Sequence, residues 1–560
     1  MKRIDKIIIY QVFPRLFGNK NENLQKKGSL KENGVGKFSA FSPDVLNGIK
    51  KLGATHIWYT GILEHATKTD YTAAGIKRDH SATVKGKAGS PYAVKDYYDV
   101  DPDLADRVNE RMNEFEALIE RTHKAGMNVI IDFVPNHVAR QYASDNLPPF
   151  IENLGHHDNT SKAFDNQNNF YYIPGHTLVL RFDSEEQNED FQYSEFPAKV
   201  TGNDCFSTTP QKNDWYETIK LNYGIDYLND RKRVFTPTPS TWGKMLDILL
   251  FWAEKGVDGF RCDMAEMIPV EFWNWVIPQV KNRFDCCFIA EIYNPSEYRN
   301  YLFNGKFDYL YDKVGLYDTL RGIVCRQTPA TQITDCWKAV EGIQEHMLNF
   351  MENHDEQRVA SDFFAGNAFA ALPAMIVATL MNTNPVMIYN GQELGERGMD
   401  EEGFSGRDGR TSIFDYWSMS SVRNWLNGTL SEEQKKLRTT YATLLNIAQN
   451  EKAVFQGTFY DLMFANETNP DFDCRNQYAF LRKEEKEALL VVVNFAKEEK
   501  EIRLNIPQDA FLFLHITDNT VARLTDLFNG KETIGTLTKA CPYHLTLPPY
   551  SGKVLKFSYP

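Results

Sequence analysis

Four short segments constrain this chain more than any other feature: DFVPNH ending at His137, GFRCDM around Asp263, AEIYN around Glu291 and ENHDEQR around Asp355. Each closes an apolar run of strand length, MNVIIDF, VDGFRCD, CCFIAE and HMLNFME, with ionisable groups. Helical patterns lie between such runs. PDVLNGIKKLG sets Val45, Leu46, Ile49 and Leu52 on one face and stops at Gly53, and NEFEALIERTHKAG does the same with Phe115, Leu118 and Ile119 before Gly126. Buried strands that end on functional groups, alternating with helices, describe a (β/α)8 TIM barrel with its site at the carboxyl ends of the strands. At 560 residues the chain exceeds the roughly 250 that one barrel needs. Further domains are therefore expected.

The chemistry follows from three acids on three different strands. Retaining glycoside hydrolysis needs a carboxylate to attack the anomeric carbon and a carboxyl group that first gives a proton and later takes one. Asp263 suits the attack. Arg261 lies two residues earlier, so strand alternation points both side chains the same way, and a guanidinium there favours an ionised carboxylate. Glu291 follows the apolar run from Cys286 to Ala290, a setting suited to a protonated acid. Asp355, after Asn353 and His354, is placed to bind sugar hydroxyls and offset oxocarbenium charge. One buried aspartate at a strand end is most often a structural acceptor. The ordered combination makes catalysis the stronger reading.

In order and approximate spacing these segments resemble the regions that mark the α-amylase superfamily, glycoside hydrolase family 13, on its neopullulanase, cyclodextrinase and maltodextrin-acting side. YQVFPRLF near the start resembles the family's first strand and YNGQELG at 389–395 its eighth, so the resemblance spans the chain. It implies that Asp263 is the nucleophile, Glu291 the general acid/base and Asp355 the transition-state-stabilising aspartate. It further implies that Arg261, His137 and His354 line the subsite of the attacked glucose and that Tyr92, in SPYAVKDYYDVDP, is the aromatic platform beneath it. Asp132 resembles an aspartate that braces the arginine. Arg358 is read either as a substrate contact or as a salt bridge closing the rim.

The same resemblance divides the chain. A catalytic barrel is expected over 1–137 and 241–452, and an inserted domain B over 138–240, where Asn, Asp, Pro and aromatics displace the regular alternation. Within the insert, Asp226 and Asn229 of KLNYGIDYLND are candidate substrate contacts. SEEQKKLRTTYATLLNIAQ reads as the last barrel helix. Beyond it, NQYAFLRKE, EALLVVVNFA, KEIRLNI and HLTLPPYSGKVLKFS predict a C-terminal β-sandwich over 453–560.

Composition narrows the partners. A net charge of −13 without a basic stripe argues against nucleic acid and suits a neutral oligosaccharide or α-glucan. No apolar run approaches the roughly 20 residues of a spanning helix. MKRIDKIIIYQVFPRLF superficially resembles a signal peptide, but Gln11 and Pro14 break the apolar stretch and no small-residue cleavage site follows, so a cytoplasmic location is expected. The eight cysteines form no CxxC pair and read as free thiols rather than disulfides or a zinc site. No cofactor is required. Calcium, which many relatives bind near the equivalent of Asn136 or in a loop after the first strand, finds no aspartate ladder in GSLKENGVGKFSAF, which leaves Asn136 as the named candidate. The oligomeric state is not legible.

Substrate is read less sharply. Many endo-acting relatives carry Lys-His three and four residues after the nucleophile. Here Glu266 and Met267 stand there, which argues against ordinary endo-action on starch. The Met-Ala pair of CDMAEM resembles the neopullulanase and cyclodextrinase side, which implies α-glucans or maltooligosaccharides cleaved at α-1,4 and, as an open alternative, α-1,6 bonds. Transfer, isomerisation or phosphorolysis on trehalose or sucrose uses the same glycosyl-enzyme intermediate and stays open. A non-catalytic relative would lack part of the acid set and carry a membrane anchor; with all three carboxylates present and no apolar run of spanning length, an enzyme is expected instead.

Overall fold

The computed structural model describes residues 6–180, 192–404 and 406–558. Eight strands close a barrel: β1 (Ile8–Val12), β2 (His56–Tyr59), β3 (Asn128–Phe133), β4 (Gly259–Cys262), β5 (Cys287–Ala290), β6 (Tyr309–Tyr311), β7 (Met347–Phe350) and β8 (Val386–Tyr389). Every strand runs parallel to both neighbours, with β1 closing onto β8 and β2. A parallel strand covered by helices outside and packed side chains inside is buried on both faces, which is why these strands read as near-continuous apolar runs.

Three barrel elements differ from the sequence reading. β1 stops at Val12, and Pro14 opens a helical turn over Pro14–Phe17, so YQVFPRLF is a strand end followed by a turn. β8 ends at Tyr389, where YNGQELG begins, and the rest of that motif is a turn with Gly391 and Gly395 at φ +93° and +73°. β6 is three residues long and gave no sequence signal.

The expected helices form as their faces dictate. The helix Pro43–Leu52 buries Leu46, Ile49 and Leu52, and Ser42 caps it by accepting from the Val45 N–H. Gly53 ends it at φ +117°, where a Cβ would sit 2.8 Å from that of Leu445. Ser431 and Gln434 form a capping box at the start of the helix Glu432–Asn450.

Between β3 and the helix Ser240–Glu254 the chain makes short antiparallel pairs: His137–Ala139 with Thr218–Lys220, Tyr172–Ile173 with Ala198–Lys199, and Leu178–Leu180 with Tyr193–Glu195. Leu178, Leu180, Ala198 and Tyr216 give this stretch a small core of its own. Residues 181–191 of the expected insert lie outside the described residues. A second hairpin, Leu63–His65 with Val94–Val100, follows β2 and was not anticipated.

The C-terminal strands form a six-stranded antiparallel sheet, with Thr458–Asp461 at one edge and Glu532–Leu537 at the other, and a separate pair, Lys500–Leu504 with Tyr543–Leu547. Arg482 ties this sheet to the barrel by donating to the carbonyls of Met381, Ala453, Val454 and Gly457. All eight cysteines are free. None of the described helices is long and apolar enough to cross a membrane.

Candidate active site

Arg261 is the hub of the barrel mouth. It is fully buried, and its guanidinium lies 2.6 Å from Asp263 Oδ1, 2.9 Å from Glu291 Oε1 and 3.6 Å from Asp132 Oδ1. Alternation along β4 delivers Arg261 and Asp263 to the same side. The parallel register sets Arg261 beside Asp132 of β3, and β5 ends one residue before Glu291. The arginine also donates to the Tyr311 hydroxyl at 3.2 Å and faces the Trp58 and Tyr92 rings at 5.3 and 5.6 Å.

Glu291 is held at both oxygens. Tyr293 donates its hydroxyl to Oε1 at 2.6 Å, and the Met264 N–H donates to Oε2 at 2.8 Å. Met264 adopts φ +45° to aim that N–H, a left-handed conformation worth about 1–3 kcal/mol of strain.

His354, Asp355 and Tyr92 form the facing wall. The Gln11 side-chain amide donates to His354 Nδ1 at 2.8 Å, which leaves the ring proton on Nε2. That nitrogen lies 2.6 Å from the Tyr92 hydroxyl and 3.0 Å from Asp355 Oδ2. Tyr92 stacks on His354 with ring centroids 5.2 Å apart, and Tyr92 in turn donates to Asp132 at 3.3 Å. Arg410 reaches the Asp355 carbonyl at 2.7 Å. His137 is buried beyond the end of β3, near the Asn136 amide at 3.0 Å and with the Trp215 ring at 5.3 Å.

Arg358 stands apart from this cluster. It is fully buried and donates to Glu352 at 2.9 Å, the Asn390 carbonyl at 3.0 Å and Thr411 at 2.8 Å, so its fork is occupied by the rim itself. The Asp226 carboxylate caps a turn through the Leu228 N–H.

The electrostatics modify one sequence expectation. Burial pushes the Asp263 carboxyl well above its ordinary range, against the pull of Arg261 and with repulsion from Glu291. Arg261 alone was expected to hold Asp263 ionised. Burial outweighs the guanidinium, which also lies beside Asp132 and Glu291. Asp132 is likewise raised, by burial. For Asp355, enclosure opposes ionisation, but the His354 imidazole, Arg261 and Arg410 bring the carboxyl down to about 2. Burial first, then the Lys220 ammonium, lowers His137 to about 3, which keeps it neutral.

Asn136 does not fit a calcium ion. Its side-chain oxygen accepts from the buried Lys220 ammonium at 2.5 Å, while its amide nitrogen donates to the Gly202 carbonyl at 2.8 Å. Lys220 also pairs with Asp204 at 2.6 Å. The oxygen a hard cation would need is already bound to a fixed positive charge.

Sequence reasoning missed Gln11, Trp58, Tyr293, Tyr311, Lys220 and Arg410. Only Tyr293 carried a local signal, being two residues beyond Glu291 inside AEIYN.

Residues 11–424 match the family model described as alpha amylase, catalytic domain. Neopullulanase 2 of Thermoactinomyces vulgaris is 21% identical over 98% of this chain and 77% of its own length. A cyclomaltodextrinase of a Bacillus species is 22% identical over 89% of this chain and 74% of its own. Among solved structures, a maltogenic alpha-amylase of Thermotoga neapolitana superposes with a TM-score of 0.64 at 18% identity over the whole of both chains. An alpha-amylase of Geobacillus thermoleovorans, complexed with acarbose, superposes at 0.65 and 18% over 99% of each. At these identities the superpositions establish the fold.

Proposed function

We propose that this chain, which belongs to the α-amylase family of glycoside hydrolases, cleaves α-glucosidic bonds of short maltooligosaccharides with net retention. The carrying observation is that Asp263 and Glu291 share one guanidinium. That keeps the two carboxyl groups close, as double displacement requires. Asp263 attacks the anomeric carbon while Glu291 gives its proton to the glycosidic oxygen, and the bond to the leaving sugar breaks. Glu291, now a carboxylate, takes a proton from water, whose oxygen displaces Asp263. Asp355 and His354 hold hydroxyls and offset the developing positive charge, over the Tyr92 ring. Neutral His137 is left as a hydrogen-bonding partner for substrate, and Arg358 acts by bracing the rim.

The division into a barrel over 1–137 and 241–452, a cleft wall over 138–240 and a C-terminal domain over 453–560 belongs to this reading. So do α-1,6 bonds as secondary substrates, a cytoplasmic location and independence of calcium at Asn136. Glu266 and Met267 in place of Lys-His, together with relatives named neopullulanase and cyclomaltodextrinase, support short substrates.

Proton NMR of the first minutes of maltoheptaose cleavage is the test. The first product is expected as the α-anomer; an initial β-anomer means direct attack by water and overturns the mechanism. On maltotriose, maltoheptaose and soluble amylose, kcat/KM is expected to flatten within a few glucose units.

A further inference from the structure

The carboxyl group of Glu291 is set by residues outside the catalytic three. Tyr293 donates to Oε1 at 2.6 Å and the Met264 N–H to Oε2 at 2.8 Å. Burial, with the charge of Glu291, pushes the Tyr293 phenol far above its usual range, so it keeps its proton and stays a donor. The chain beyond Glu291 is fixed from the other side. Glu266 Oε2 accepts the N–H of Tyr293 at 3.2 Å and that of Asn294 at 3.1 Å. Glu266 lies in the turn Ala265–Met267 that follows the nucleophile, and Tyr301 anchors this turn by donating to the Glu266 carbonyl at 3.2 Å. One turn thus touches the acid/base twice, through the Met264 N–H directly and through Glu266 by way of Tyr293.

Resting on the hydrolase reading above, we propose that Tyr293 is a positioning residue for the acid/base, held in place by Glu266, and that the pair fixes which oxygen of Glu291 carries the transferable proton. Oε1 faces two donors, the Tyr293 hydroxyl and the Arg261 guanidinium, against the single Met264 N–H on Oε2, so Oε2 is the oxygen with a position left for the transferable proton. That proton passes to the glycosidic oxygen as the C–O bond breaks, and water returns one in the second step. Glu266, at a position where many relatives bind the leaving sugar, here acts through the catalytic acid instead. The charged and titratable groups facing Glu291 are Arg261 and Asp263 from β4, Tyr293 from its own loop and Tyr311 from β6. Asp355 lies beyond them.

The test compares maltotriose with a 2,4-dinitrophenyl α-maltotrioside, whose leaving group departs without a proton. Tyr293→Phe is expected to lower kcat/KM about tenfold on maltotriose and less than about twofold on the aryl glycoside, because it removes one charge-assisted hydrogen bond. Glu266→Ala is expected to give the same pattern and add little to Tyr293→Phe in the double variant. Glu266→Gln, keeping one acceptor oxygen, restores most of the activity and guards against misfolding of the alanine variant. Equal losses on both substrates would overturn the proposal. Glu291→Gln separates the two readings. If it stays active on maltotriose, the hydrolase mechanism itself fails; if it is inactive while Tyr293→Phe behaves as wild type, only the positioning role fails.

Discussion

Arg261 and Arg358 are both fully buried at the barrel mouth, and each guanidinium lies against a tyrosine ring, Tyr311 at 5.5 Å and Tyr389 at 3.9 Å. Their surroundings differ in balance. Arg358 meets one carboxylate, Glu352, and spends its remaining N–H groups on Asn390, Thr411 and the Met419 sulfur. Arg261 meets three carboxylates, Asp132, Asp263 and Glu291, one more than a pair of charge-assisted prongs can satisfy. A matched buried charge holds a structure together. An excess of buried negative charge around one cation leaves groups whose protonation is poised to change, which is what acid–base chemistry uses.

The sharpest test removes the acids themselves. Asp263→Asn and Glu291→Gln are each expected to lower kcat by at least about a thousandfold with thermal unfolding nearly unchanged. Near-normal turnover in purified Asp263→Asn removes the nucleophile from the mechanism.

Conservative changes at the two arginines then separate their roles. Arg261→Lys loses the fork that spans Asp263 and Glu291, so kcat/KM on maltoheptaose is expected to fall about a hundredfold in enzyme that is still folded by circular dichroism. Arg358→Lys is expected to keep kcat within about threefold and to lose about 2 kcal/mol or more of stability, since Glu352 and the Asn390 carbonyl are left imperfectly paired inside. An Arg358→Lys enzyme that is stable but inactive would collapse the distinction and return Arg358 to the substrate-binding set.

The smallest expected effect concerns a third buried cation. Lys220→Ala removes the ammonium from the Asn136 side-chain oxygen and leaves Asp204 with Arg231 at 3.5 Å; it is expected to cost about 1–3 kcal/mol, seen as a lower Tm, with a several-fold rise in KM through neighbouring His137. Chelator should leave the wild-type Tm where it is. A fall with EDTA that calcium restores would show a cation site in which the Lys220 ammonium is not the resident charge.

Much of this was readable in the chain because the signals were local. β3, β4, β5 and β7 are apolar runs of strand length, and Arg261 with Asp263 is an alternation argument needing only two residues. Gly53 and Gly126 close their helices by the same short-range logic. Domain edges and turns were blurred for equally physical reasons. A three-residue strand such as β6 holds less than two periods of alternation, and Pro14 allows a strand to end two residues before it as readily as a turn to begin.

By itself, then, the sequence determined that strand-end carboxylates on an alternating β/α chain must meet on one rim, because a closed parallel barrel has only one set of carboxyl ends. Tertiary structure alone decided who touches whom across that rim. Gln11 orients His354 from 343 residues away, and Lys220 reaches Asn136 across 84. Tyr293 turns back on Glu291, two residues before it, while its own N–H is held by Glu266 from 27 residues away. Which side chain faces a shared guanidinium, and whether burial or that guanidinium prevails at Asp263, depends on the packing of all eight strands at once. No window of sequence contains that information.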